Sequence, residues 1–250
     1  FLIESNSDPV TFTGNTATGN TVNDFKGICQ GSSCETVSVD SLSIGQHGSN
    51  AGGDCDSVGT WDAGPEGGTC TLSKDIEITG NGVGIWLASS RVTVDGAGHT
   101  VTGNQVSGHD HIGVGTCNQC HTMSVKNLTI ENFGYGIRSS NTNGLTITGV
   151  TVGTIGTYGM YINSVDSLLL ENNIVTSAGI QVFGKNSYIG VGDGTCTGTG
   201  QYVAASESIN APIVIKNNHV INSGMYLSDG AGWCIDGNTF TDGYLHVSYA

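Results

Sequence analysis

Short runs of alternating apolar and polar residues recur along the chain in one phase. Six segments align: Val92-Thr-Val-Asp-Gly96, Met123-Ser-Val-Lys-Asn127, Leu145-Thr-Ile-Thr-Gly149, Leu168-Leu-Leu-Glu-Asn172, Ile213-Val-Ile-Lys-Asn217 and Trp233-Cys-Ile-Asp-Gly237. Each reads apolar, variable, apolar, polar, then Asn or Gly. A second short run follows most of them, as at Leu128-Thr-Ile130, Val150-Thr-Val152, Asn173-Ile-Val175 and His219-Val-Ile221. A third recurs at Gly84-Ile-Trp-Leu, Ile112-Gly-Val, Gly136-Ile-Arg, Met160-Tyr-Ile, Gly179-Ile-Gln-Val, Met225-Tyr-Leu and Tyr244-Leu-His-Val. Period-2 alternation is the signature of a strand with one buried face.

The column Gly96, Asn127, Gly149, Asn172, Asn217 and Gly237 holds only Asn or Gly. Two short strands that meet at a sharp bend need a residue with positive φ. Gly reaches that region without a Cβ penalty, and Asn tolerates it best among the rest. Three short strands per turn, bent at one column in phase, predict an all-β fold: a single-stranded parallel β-helix, each coil stacking on the next. A β-sandwich would instead need hairpin turns and antiparallel pairing. Residues 69–250 carry the repeat, with a Gly/Thr-rich excursion near 190–210; residues 184–211 are predicted to hold that excursion plus one more coil. Residues 1–68 lack the pattern and are predicted to form a disulfide-containing N-terminal region that covers the first coil. The sequence stops inside a coil. Leu245, Val247 and Tyr249 are therefore expected to meet another molecule, with end-to-end or lateral self-association as the leading expectation.

Composition narrows the function classes. Charged residues make up only 11%, and 40 glycines stand against 3 prolines, which fits neither a disordered nor a helical chain. A net charge of −14 repels phosphate and argues against nucleic acid partners. No apolar run approaches a membrane span. Eight cysteines suit an oxidising, extracellular or cell-surface setting. Cys29/Cys34 and Cys55/Cys70 read as loop-closing pairs, Cys196/Cys234 as a longer closure, and Cys117/Cys120 as a pair at a bend or a stack within a coil; spacing alone does not fix connectivity.

The run from Thr69-Cys-Thr-Leu-Ser-Lys-Asp-Ile through Gly84-Ile-Trp-Leu, Val92-Thr-Val-Asp-Gly-Ala-Gly-His-Thr-Val-Thr-Gly103 and Val125-Lys-Asn-Leu-Thr-Ile130 resembles pectate-lyase-like β-helices. The resemblance is nearest to β-helix proteins of the nitrous-oxide-reductase maturation type and to secreted surface proteins. It covers residues 69–250 and implies a right-handed helix. It does not select among lyases, glycosidases, epimerases, adhesins and structural surface proteins.

A lyase of that superfamily would need an Arg or Lys base beside Ca2+-binding carboxylates. Arg138, with Glu131 a few residues before it, comes nearest, yet the acids do not cluster around it in sequence. The Asp-Asp, Gly-His-Gly and Arg-x-Lys signatures of the polygalacturonase-like branch are absent. Cys117-Asn-Gln-Cys-His121 is formally a haem c attachment pattern, with His109 or His111 as a second ligand. The bend position favours the disulfide reading. His109, His111 and His121 also form a candidate metal set. Asn127-Leu-Thr129 is a glycosylation sequon whose Asn already has a backbone role. Tyr135, Tyr158, Tyr161, Tyr226 and Tyr244 fall at or beside the third run. Facing outward they would form a sugar-binding strip; facing inward they would fill the core. The expectation is thus a secreted structural or interaction solenoid without a cofactor. A polysaccharide-binding or polysaccharide-cleaving β-helix is the alternative, and a haem carrier the third.

Overall fold

A computed structural model describes residues 36–45, 51–65, 67–105, 110–184, 213–228 and 233–248. The chain winds into coils whose strands stack in parallel on three faces. Face one is built from Gly67–Leu72, Val92–Asp95, His121–Lys126, the end of Thr129–Thr148, Leu168–Glu171, Ile213–Lys216 and Cys234–Asp236. Face two starts at Thr36–Val39 and continues through Asp75–Ile78, Thr100–Thr102, the starts of Thr129–Thr148 and Thr151–Val165, then Ile174–Thr176, His219–Ile221 and Thr239–Thr241. Face three runs from Leu42–Ile44 through Val83–Leu87, Ile112–Thr116, the middle of Thr129–Thr148, the rest of Thr151–Val165, Gly179–Gly184 and Gly224–Ser228 to Tyr244–Ser248. Inward positions are Val, Ile, Leu and Met, nearly all fully buried, and they form one continuous core. Each such burial contributes about 1.5–3 kcal/mol.

The bend column turns as its residue types require, with one exception. Asn127, Gly149, Asn172, Asn217 and Gly237 have φ between 52° and 63°. Gly96 does not; the left-handed residues there are Ala97 and Gly98. Asp95 pairs with Lys126 and Thr100 with Thr129, so this bend carries two more residues than the one stacked on it. The turn shifts accordingly, with the Ala97 N–H donating to Asp95 Oδ1 at 3.0 Å. Gly96 is still constrained, because a Cβ there would lie 2.4 Å from the Asn127 carbonyl oxygen.

A second corner bends at Asn132, Thr154, Ser177, Asn222 and Asp242, all at positive φ. Three are Asn or Asp, which tolerate this region, but Thr154 and Ser177 interrupt the column. Nor are all strands short: Thr129–Thr148 and Thr151–Val165 keep their pairing around corners, with a register shift between Phe133 and Tyr135.

Next to the first bend runs a buried ladder of asparagines. Asn173 Nδ2 donates to the Ile147 carbonyl and to Asn218 Oδ1, both at 2.9 Å. Asn218 Nδ2 donates to the Leu170 carbonyl at 3.0 Å and to Asn238 Oδ1 at 2.9 Å. Asn238 Nδ2 closes the series on the Ile215 carbonyl at 2.8 Å. Each amide joins its own coil to the next, so buried donors and acceptors are matched in register.

Two boundaries differ from expectation. The parallel ladder begins at Thr36, and the expected limit between residues 68 and 69 falls inside the strand Gly67–Leu72. Gly59–Gly64 pairs antiparallel with that strand, covering the edge of face one, and a short helix, Cys55–Val58, precedes it. The coil Leu168–Gly184 stacks directly on the coil that starts at Ile213, so no further coil lies between them.

Candidate functional site

Face three carries an outward row with an unusual content. Through successive coils the paired positions are Trp86, Gly115, Arg138, Tyr161, Gln181, Tyr226 and His246. Each of the side-chain-bearing members sits between inward neighbours, as Tyr161 does between Met160 and Ile162, so alternation alone turns these side chains outward. Tyr135 and Tyr158 stack on one another in a parallel row, and Phe183 lies two residues past Gln181.

The rings form a contact chain. Centroid separations are 6.0 Å for Tyr135–Tyr158, 5.7 Å for Tyr158–Tyr161, 5.9 Å for Tyr161–Phe183 and 6.1 Å for Phe183–Tyr226. His246 stacks on Tyr226 at 4.9 Å and 7°. The Arg138 guanidinium lies 5.4 Å from the Tyr135 ring centre, a cation–π contact. Two glycines make room for rings from neighbouring coils. A Cβ at Gly115 would lie 2.9 Å from the Trp86 ring, and one at Gly224 would lie 2.5 Å from the Tyr244 ring. Trp86 is 37% exposed and Tyr244 65%. Tyr135 is buried; that burial, with Tyr158 and Tyr161 beside it, pushes its phenol above the ordinary value despite the opposing pull of Arg138. It stays a neutral hydroxyl at physiological pH.

Arg138 therefore stands in a row of rings. Cys117 and Cys120 are bonded to each other, the pairing expected for two cysteines at this bend. His111 is buried, with the Gln105 amide 2.7 Å from its Nε2, and His109 lies outside the described residues. Among the described residues no group of three or more His, Cys, Asp or Glu side chains could hold a metal ion. Cys55 and Cys70 are bonded, and Cys234 is disulfide-bonded; Cys29, Cys34 and Cys196 lie outside the described residues. Leu245 and Val247 continue the inward columns of Met225 and Leu227, Leu245 being 41% exposed, and Tyr249 lies outside the described residues. A separate open groove of about 640 Å3 is lined by Asp62, Thr69, Arg91, Thr93, His121 and Thr122.

Trp86, Phe183, Gln181 and His246 were not singled out in the sequence. Their signal was available: Trp86, Gln181 and His246 each follow an apolar residue in the third run, in the same phase as Tyr161 and Tyr226. A family model described as a right-handed β-helix region matches residues 64–196. No match was found among curated proteins or among solved structures.

Proposed function

The chain belongs to the right-handed β-helix family, and from that premise we propose that it is an extracellular interaction protein that holds an extended polysaccharide along the aromatic row of face three. The observation that carries this reading is the row itself, from Trp86 to His246. It spans six coil steps, or ~29 Å at the spacing of paired strands. One pyranose unit of an extended chain advances by about the same distance as one coil. The C–H faces of sugars pack on aromatic rings, while Tyr hydroxyls, the Gln181 amide and Arg138 supply polar partners.

Acids outnumber bases by 21 to 7 in the chain, yet the row holds Arg138 and no carboxylate. It suits neutral chains, and Arg138 offers one local partner to a carboxylate or sulfate on an acidic one. Rings, amide and guanidinium offer binding surface without an acid–base pair, so retention and not turnover is the expected activity. Disulfides support the extracellular setting.

Affinity electrophoresis tests the reading. In gels containing neutral or acidic polysaccharides, the intact chain is expected to be retarded by at least one of them. Tyr161→Ala/Tyr226→Ala should weaken that retardation about tenfold, from roughly 0.5–1.5 kcal/mol per ring. Thr151→Ala on face two should leave it unchanged. Retardation by none of the polysaccharides, or equal retardation of all three proteins, contradicts it.

A further inference from the structure

The two disulfides placed among the described residues differ in kind. Cys55 and Cys70 are fully buried, 15 residues apart, and join the short helix to face one. Cys117 and Cys120 are half-buried at a corner, with Asn118 and Gln119 exposed between them. That corner is already held by its neighbours. The Cys117 N–H donates to the Leu87 carbonyl at 3.0 Å and the Gln119 N–H to the Asn141 carbonyl at 2.8 Å. The Asn143 N–H donates to the Cys120 carbonyl at 3.0 Å, and the His121 N–H to Ser90 Oγ at 3.0 Å. Coils on both sides therefore fix the backbone without the sulfur bridge. The bridge lies within one coil and cross-links no others. Its short loop restricts the unfolded chain less than the Cys55–Cys70 loop does. Both cysteines pack against the edge of the core but remain half-exposed, and such a bond, held in place by its neighbours, exchanges more readily than a fully buried one.

We propose that Cys117–Cys120 is a thiol–disulfide exchange site whose co-reactant is a dithiol protein or a pair of small thiols. A thiolate of the co-reactant attacks one sulfur. The Cys117–Cys120 bond breaks as the mixed disulfide forms, and the other cysteine leaves as a thiolate and takes up a proton. The second thiolate of the co-reactant then attacks its own sulfur in the mixed disulfide and releases the remaining cysteine, which is also protonated. Two electrons and two protons pass to the chain, and the co-reactant leaves as a disulfide. The reverse sequence oxidises the pair again.

The test equilibrates the intact chain in graded ratios of reduced to oxidised dithiothreitol, traps free thiols by alkylation and assigns them by peptide mass spectrometry. Cys117 and Cys120 should be alkylated at a ratio at least about tenfold lower than Cys55 and Cys70. The far-ultraviolet circular dichroism should not change across that step. Reduction of both pairs in one range, or loss of the β signal as Cys117–Cys120 opens, would overturn the proposal. A Cys117→Ser/Cys120→Ser variant provides the second check. It should melt as the parent does, whereas a large drop in melting temperature would make the bond a structural staple and sink the exchange role.

Discussion

Asn127, Asn172 and Asn217 turn the chain at φ between 52° and 56°, in a region that costs most L-residues roughly 1–2 kcal/mol. Asn172→Val should therefore lower stability by about 1–2 kcal/mol, while Asn172→Gly should stay within ~0.5 kcal/mol; urea unfolding midpoints measure both. The neighbouring amide matters more. Removing the Asn218 side chain takes the acceptor from Asn173 Nδ2 and the donor from the Leu170 carbonyl and Asn238 Oδ1. Several buried groups then lose partners at roughly 1–3 kcal/mol each, so Asn218→Ala should cost about 3 kcal/mol or more in the same assay. The two kinds of asparagine were unequally legible. The bend residues stood out because so few side chains tolerate their backbone. The buried ladder hid beside them, its only trace the adjacent pairs Asn172-Asn173, Asn217-Asn218 and Gly237-Asn238. At Gly96 the residue type was right and the reason was not: close approach, and not positive φ, excludes a side chain there.

Along face one the outward row reads Asp95, Lys126, Thr148, Glu171, Lys216 and Asp236. Opposite charges thus meet across coils, with Lys126–Asp95 and Lys216–Glu171 both at 3.1 Å. A one-residue slip would break these pairs and turn the core columns outward, so the row reinforces the register. Burial would raise the Asp95 pKa, but the Ala97 N–H, the Asn127 amide and Lys126 together outweigh it and hold the carboxyl below its ordinary value of 3.8. A lowered folded-state pKa stabilises the fold at pH above the unfolded value. That contribution is lost as pH falls through the folded one. Asp95→Asn should therefore flatten the acid limb of the stability curve below about pH 4 and lower stability at pH 7, as read from melting temperatures across pH. The face-one runs were legible because inward apolar positions repeat there without interruption. The second corner was not, because Thr154 and Ser177 break a column otherwise held by Asn132, Asn222 and Asp242. The extra coil expected at 184–211 came from counting residues, whereas direct pairing of Leu168–Glu171 with Ile213–Lys216 is long-range and has no local signature.

At the scale of the whole fold, the stacked coils of the described residues repeat one outward position at each step. A single favourable residue type at that position becomes a row, which is how scattered tyrosines far apart in sequence come to touch. The sequence showed that Tyr135, Tyr158, Tyr161, Tyr226 and Tyr244 keep company with the third run, but not which way they point. Phase relative to Ile137, Met160 and Met225 settles the direction for Arg138, Tyr161 and Tyr226 and brings Trp86 and His246 into line. The most direct measurement is isothermal titration calorimetry with oligosaccharides of increasing length, cut from the polysaccharide that retards the chain. Affinity should climb with each added unit until the oligomer spans the row, ~29 Å, and then level off. Tyr161→Ala/Tyr226→Ala should flatten that climb. An affinity independent of length, or a climb untouched by the substitutions, would contradict a binding row on face three.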